Sequence, residues 1–496
     1  MVPLYSILIL LMILCALFYL VGMFYQAKTN QPKQFKLMIG VVIALMVLGG
    51  LVIAYMVKKN TTTKNNLVKT SELLEESDTE EDNNRPLPII DPVASQTVQL
   101  GSGAGQEVDG NKIDYIKFTE LMHTDQFQTE YFNAVQIGLK MKAKRYRTMY
   151  LDEEQKYNNM NVGKSGNQFD IYNEKAKKIK KAMDRILSIL KSIRDQRTTL
   201  TKKSCADDLI SGITDPAKGL ASLIGREEIK DYICKRIYTF KCNPKIFLNS
   251  YQNQIFTADS GWGKTKIAQV MGWVYSKSHI LITSDYIRFT AKDFTTAYVN
   301  ESASLTRVSF LSSLESVMFI DEAYGLCPPQ GIMSGRNHNE EAITEMLTCM
   351  EDFKGCMVIN MAGYKEQMEE LKASNQGLSR RIPYTIELKP HTSSQLTEIL
   401  MKNIKSISPE LVIENGHINY TFSIIDYLYS KDKDVFPRQA GDMENISQEI
   451  CNEYYAQIDN RSLYKAIETG MNSFLAPRNI HVKAPHGGTM VLDEEN

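Results

Sequence analysis

The 496-residue sequence predicts an α/β fold, with a parallel sheet held between helices, a helical lid after it, and membrane-spanning and basic helical segments before it. Three observations predict this. The β-like run Gln254-Ile255-Phe256-Thr257 leads through a glycine-bearing loop into the helix-compatible stretch Lys266 to Tyr275. A second apolar run, Val317-Met318-Phe319-Ile320, ends in the adjacent carboxylates Asp321 and Glu322, as a parallel strand covered on both faces would. Two long uncharged runs stand near the N-terminus.

Pro3 to Tyr25 and Leu37 to Val57 carry no charged residue, and each is long enough to cross the roughly 30 Å hydrocarbon core as a helix. Lys28, Lys33 and Lys36 lie between them, and Lys58 and Lys59 follow. A cleaved signal peptide would need a positively charged start, which the first run lacks, so residues 1–60 read as two retained transmembrane helices. Two spans return the chain to its starting side, and a nucleotide-using domain would then face the cytosol: the expected localisation is multi-pass membrane.

Residues 61–111 turn to Asn, Thr, Ser, Gly and Pro with an acidic block from Glu75 to Asp82, too few apolar groups to offset the entropy of ordering, and read as a flexible linker. Residues 112–203 read as a basic helical region with two clusters, Lys140, Lys142, Lys144, Arg145 and Arg147, then Lys175, Lys177, Lys178, Lys180 and Lys181. Ile179, Met183, Ile186, Leu190 and Ile193 alternate in steps of four and three, as coiled-coil seam positions do, or as the apolar face of a helix packed on a neighbouring domain does. The basic residues could touch anionic lipid or nucleic acid, but 57 Lys+Arg against 58 Asp+Glu gives no overall bias towards nucleic acid, and none is expected as partner. The 8 cysteines form no C-x-x-C pair and the histidines are scattered, so neither a zinc site nor a disulfide framework is signalled.

Between strand and helix stands Ala258-Asp259-Ser260-Gly261-Trp262-Gly263-Lys264-Thr265. In the G-x-x-x-x-G-K-[ST] arrangement, small residues let backbone N–H groups wrap phosphates at the positive end of the following helix. Lys264 would supply a point charge for the β- and γ-phosphates, and Thr265 a hydroxyl ligand for Mg²⁺. Ala258 replaces the first glycine, and Trp262 fills a position that is usually small, where it could alter nucleotide affinity. Asp321 would hold the Mg²⁺ through water while Glu322 polarises the attacking water, a division of labour that needs two carboxylates at the strand's carboxyl end. No N-K-x-D guanine-reading motif occurs, which favours ATP over GTP.

From about Gly219 to Tyr454 the chain resembles the AAA+ ATPases of the CbbX/CfqX type, a group that includes red-type rubisco activases, the stage V sporulation protein K and EccA-like secretion components. The resemblance rests on Leu223-Ile224-Gly225 with Glu228-Ile229-Lys230, on F-T-A-D-S-G-W-G-K-T against F-T-G-N-P-G-T-G-K-T, and on F-I-D-E-A-Y-G-L against F-I-D-E-A-Y-x-L. Ala362-Gly363-Tyr364 and Asn375-Gln376-Gly377-Leu378-Ser379-Arg380-Arg381 extend it. It implies a large ATPase subdomain over 204–390 and a helical lid over 391–472; beyond these, residues 473–496 contain Pro, Gly and acids and read as a flexible tail. The resemblance assigns Arg381, or else Arg380, to an arginine finger reaching a neighbouring subunit's nucleotide, Arg438 to a sensor on the same chain, and Tyr298 with Val299 to a pore loop that grips a peptide. Asn360 and Tyr364 both stand near the strand end where a first sensor would lie. The implied protein is a membrane-anchored ATP hydrolase assembling as a homo-oligomeric, hexameric ring, with ATP and Mg²⁺ as cofactors and a protein client of unknown identity. Its rivals are an ATP-binding membrane scaffold without turnover and a nucleic-acid-associated ATPase.

Overall fold

A computed structural model describes residues 113–160, 168–296, 301–327, 338–483 and 491–492. Five strands, β1 (Asn253–Thr257), β2 (Tyr286–Phe289), β3 (Val317–Ile320), β4 (Val358–Gly363) and β5 (Tyr384–Glu387), form one sheet in the order β2-β3-β4-β1-β5. Every pairing is parallel. β1, β3 and β4 are buried along their whole length; β3 accordingly reads as an unbroken apolar run, while the polar Gln254 of β1 and Asn360 of β4 are tolerated inside because they hydrogen-bond to each other. The helix Lys264–Lys277, which follows β1, packs on β2 and β3, and Lys365–Ser374, which follows β4, packs on β1 and β4. The loops after β1 and β3 therefore open at the same carboxyl edge of the sheet, where α/β folds bind ligands.

The chain's first described helices lead into that sheet. In chain order they are α1 (Tyr115–Leu121), α2 (Asp125–Met160), α3 (Gln168–Thr199) and α4 (Lys202–Thr214). α2 buries Phe127, Tyr131, Val135, Leu139, Tyr146 and Tyr150 along one stripe, and α3 packs against it with Ile186, Leu190 and Ile193 buried inside the same chain. Three of the five seam positions thus meet intrachain partners, and α3 also touches the helix Ser302–Ser312 of the sheet domain.

The basic cluster on α2 is partly internal. Lys142, 3% exposed, donates to the Ile280 carbonyl at 2.7 Å and forms an ion pair with Glu315, which is fully buried. Glu315 also accepts from the Tyr146 hydroxyl at 2.8 Å and from the Ile282 N–H at 3.1 Å. Arg145 donates to the Lys354 carbonyl at 2.6 Å and to Asn249 Oδ1 at 2.8 Å. These cations are spent on the protein's own carbonyls and carboxylate, not displayed to a lipid or nucleic-acid surface.

The expected multi-pass membrane location with a cytosol-facing ATPase domain is corrected: among the described residues no helix is long and apolar enough to cross a membrane. α2 and α3 have the length but carry charged residues throughout, and their apolar stripes are consumed by packing. The runs at 3–25 and 37–57 and the linker at 61–111 lie outside the described residues.

After β5 come four lid helices, Ser393–Ile407, Asn415–Lys431, Ala440–Ala456 and Leu463–Leu475. Thr392 opens the first with a capping box, its hydroxyl accepting from Gln395 N and its own N–H donating to the Gln395 side chain. Leu396, Leu400, Ile424, Phe436, Ile446 and Ile467 are among the residues that close a separate apolar core. Where the sequence suggested a flexible tail from residue 473, the last helix continues to Leu475 and Val482 is buried on the lid, exchanging hydrogen bonds of 2.6 and 2.8 Å with Asn472. An apolar valine and an amide able to mimic a strand partner were the signal missed there.

Arg226 binds the sheet domain to the lid. Its guanidinium donates to the Lys389 carbonyl, to the Trp262 carbonyl at 2.7 Å and towards His391 Nδ1 at 3.2 Å. Burial brings Arg226 down to about 10, and burial with the neighbouring Arg226 charge brings His391 down to about 4. Neutral Nδ1 is the form that can accept from a guanidinium.

Two predictions follow from this packing. Lys142→Met should cost about 3–5 kcal/mol in chemical denaturation because it strands a buried carboxylate, whereas Lys142→Met combined with Glu315→Gln should cost clearly less. For His391, the folded chain refuses a proton that the unfolded chain accepts between pH 6.5 and about 4. Stability should therefore be intact above pH 6.5 and fall by up to about 3 kcal/mol as the pH drops through that window. His391→Gln should flatten the low-pH slope of the thermal midpoint.

Candidate functional site

β1 delivers the chain to the sheet's carboxyl edge at Thr257, and the loop from Ala258 to Gly263 turns it into the helix Lys264–Lys277. Ala258 N–H donates to the Gly363 carbonyl at the end of β4, 3.3 Å away, which ties the loop's start to the sheet. Gly261 and Gly263 have φ of +81° and +89°, left-handed values that glycine adopts without a Cβ penalty. A Cβ on Gly261 would also lie 2.6 Å from the Arg438 carbonyl oxygen, so this glycine is required by space as well as by torsion. Asp259 and Ser260 are exposed at the loop's crest, and Ala258 in place of glycine is accommodated without a left-handed torsion.

Lys264, 7% exposed, donates from Nζ to the Ala258 and Asp259 carbonyls at 2.7 and 2.9 Å and stands 5.6 Å from the centre of the Tyr364 ring. Burial lowers its affinity for the proton, while Glu322, Asp321 and Asp259 pull the other way. The predicted lysine and both predicted carboxylates therefore share one electrostatic environment. Thr265 is half-buried beside Lys264 in the first turn of the same helix.

β3 ends at Ile320, and the Asp321 N–H extends the ladder to the Phe289 carbonyl at 2.8 Å. The Asp321 carboxylate accepts from Arg288 on β2 at 2.6 Å. Glu322 takes φ of +51°, a left-handed torsion costing a non-glycine residue about 1 kcal/mol or more, and its carboxylate accepts from the Tyr324 hydroxyl. That bond, with the carboxylate beside it, pushes the Tyr324 phenol up to about 12. Tyr324 and Tyr364 lie with ring centroids 6.1 Å apart, completing a wall from Glu322 to Lys264. The Thr265 hydroxyl and the Asp321 carboxylate are hard oxygen donors, the kind that Mg²⁺ takes.

Arg438 meets the loop from the lid. Its side chain is exposed, its carbonyl and Cβ abut Gly261, and its N–H donates to Asp442 at 2.8 Å. The Gly441 N–H donates to the Gly261 carbonyl at 3.0 Å, and the Trp262 indole N–H donates to the Pro437 carbonyl at 3.0 Å.

Arg381 lies elsewhere. It ends the helix Gln376–Arg381, its carbonyl accepts from the Asn253 side chain at 2.8 Å, and its guanidinium sits 3.4 Å from Glu351. Asn253 is the first residue of β1, and a strand rises about 3.3 Å per residue. Arg381 is thus on the amino edge of the sheet, away from its own chain's Lys264, and Arg380 beside it is exposed. Asn360 is buried in mid-strand, where Gln254 donates to it, whereas Tyr364 faces Lys264. Tyr298 and Val299 lie outside the described residues. Arg226 and Arg288 went unremarked in the sequence, and Tyr324 was read only as part of F-I-D-E-A-Y-G-L and given no role; the signals available were that tyrosine and the arginine immediately after Leu223-Ile224-Gly225.

Residues 255–387 match AAA, the ATPase family associated with various cellular activities. Stage V sporulation protein K of Bacillus subtilis is 29% identical over 199 residues, covering 38% of this chain and 59% of that protein. The protein CfxQ homolog of Cyanidium caldarium is 33% identical over 144 residues, covering 29% of this chain and 49% of that protein. The ESX-1 secretion system protein EccA1 of Mycobacterium tuberculosis is 31% identical over 150 residues, covering 30% of this chain and 26% of that protein. The chain thus spans about three fifths or less of the length of these curated relatives. Strand order, loop, paired carboxylates and these likenesses agree: residues 255–387 are an AAA ATPase domain, a kind of domain that implies ATP hydrolysis with ATP and Mg²⁺ as cofactors, and the chain around it is similar to the CfxQ and sporulation relatives.

Proposed function

We propose that the whole chain is an ATP-driven protein-remodelling machine that works as a ring, hexameric by its likeness to the AAA+ group, and acts on a protein client through the Tyr298-Val299 loop. Lys264 neutralises the phosphates, Thr265 and Asp321 hold Mg²⁺, and Glu322 takes the proton from the attacking water. Mg²⁺ supplies the Lewis acid that offsets charge developing on the phosphate oxygens. Arg438 senses the nucleotide from the lid of the same chain. Arg381, or Arg380 beside it, completes the site of the adjoining subunit, where a guanidinium supplied in trans stabilises the transferring group. The observation that carries this reading is the gathering of Lys264, Asp321 and Glu322 at one edge of the sheet, with Arg381 at the other.

A non-turnover scaffold, in which nucleotide only fixes an assembly, draws support from the loop's bonds to the lid through Trp262 and Gly261. Against a nucleic-acid motor stand Lys142 and Arg145, committed to internal partners.

Phosphate release separates the first two. Lys264→Ala should abolish nucleotide binding and turnover, and Glu322→Gln should keep binding while lowering kcat by about 10²–10⁴-fold. Binding by the parent without phosphate release at any protein concentration establishes the scaffold instead. Arg381→Ala should lower kcat by about 10³-fold or more, and mixing it with Glu322→Gln should restore part of the turnover. Such mixed junctions pair an intact Glu322 with an intact Arg381, so two variants that stay silent together argue against sharing of sites between subunits.

A further inference from the structure

We propose that Trp262 is a positioning residue that latches the phosphate loop to the lid, so that occupation of the loop by a nucleotide phosphate is transmitted to the lid within one subunit. The inference rests on the nucleotide reading of that loop and adds a route by which binding becomes movement.

The indole and the backbone of Trp262 are held from opposite sides. Its Nε1–H donates to the Pro437 carbonyl of the lid at 3.0 Å, while its own carbonyl accepts from Arg226 at 2.7 Å. Arg226 in turn holds the Lys389 carbonyl and His391, the residues where the chain passes from β5 into the lid. A second bond runs parallel to the indole's, from the Gly441 N–H to the Gly261 carbonyl at 3.0 Å. The close approach of Arg438 to Gly261 leaves no room between loop and lid for even one methyl group. A loop bonded at two adjacent residues, Gly261 and Trp262, to the start of a lid helix cannot move to fit phosphates without moving that helix or breaking those bonds. A smaller residue at position 262 would present no donor across this gap, which gives a physical reason for a tryptophan there.

Trp262→Phe keeps an aromatic ring while removing the donor and part of the indole's bulk, and the side chain is only partly buried, so the fold should be retained. Amide hydrogen exchange of the full chain without nucleotide should quicken over residues 438–443 by about two- to tenfold, the worth of one net hydrogen bond, with β3 and β4 unchanged. The second readout is spectroscopic. The chain has 2 tryptophans, so Trp273→Phe leaves Trp262 as the sole indole, and its emission should change saturably with ADP and Mg²⁺. The half-saturation should match that of ADP binding measured by calorimetry. Unchanged exchange over 438–443 in Trp262→Phe overturns the latch, as does indole emission indifferent to bound ADP. A parent that binds ADP but releases no phosphate from ATP would defeat the hydrolysis proposal alone, leaving both latch readouts to decide for themselves.

Discussion

Glu315 is the constraint on which the rest of the structure depends. It stands two residues before β3, with φ of +58° and no exposure, and a carboxylate buried in that way must have its charge and lone pairs met inside the protein. The Lys142 ammonium, the Tyr146 hydroxyl and the Ile282 N–H meet them. Its backbone is equally committed, to the Cys356 carbonyl at 2.7 Å and to the Thr283 N–H and hydroxyl at 3.2 and 2.8 Å. α2, the approach to β2 and the approach to β4 are fixed at one point. β3 therefore has its anchor at the amino end and, after four buried residues, its two site carboxylates at the carboxyl end.

That rigidity serves electrostatics. Lys264, Asp321 and Glu322 are held close enough to influence one another, and a preorganised set of charges does not need to reorganise when a phosphate arrives. Arg288 and Tyr324 occupy one carboxylate each, the first as an ion pair with Asp321 and the second as a neutral hydroxyl donor to Glu322. Tyr364 lies beside the lysine with its ring centre 5.6 Å from Nζ, and burial of the ammonium as a whole lowers its proton affinity.

The lid is a second packed unit with its own apolar core, and the contacts that join it to the loop are few and polar. An apolar core resists partial opening, whereas a handful of hydrogen bonds of about 1 kcal/mol each can exchange one by one. Arg226 suits such a joint because its planar fork holds three acceptors in a fixed relative geometry, whereas the donors of a lysine radiate from one nitrogen.

The sequence by itself determined the local pieces: the loop from Ala258 to Thr265 and the strand Val317–Ile320 with its carboxylates, while the lid was legible only through the family resemblance. Loop and strand each follow from residues within a few positions of one another, where torsional preference, hydrophobic period and phosphate chemistry act directly. Only the tertiary structure decided how those pieces are used. The four-three spacing at Ile186, Leu190 and Ile193 fits a partner in another chain as well as one in its own, and packing chose the latter for these three. The charge of Lys142 reads as a surface feature until Glu315, 173 residues away, is brought to it. Trp262 reads as a departure from a motif until Pro437, 175 residues away, presents a carbonyl. No local rule encodes such pairs, because their energies exist only once folding has paired distant segments and removed the water between them.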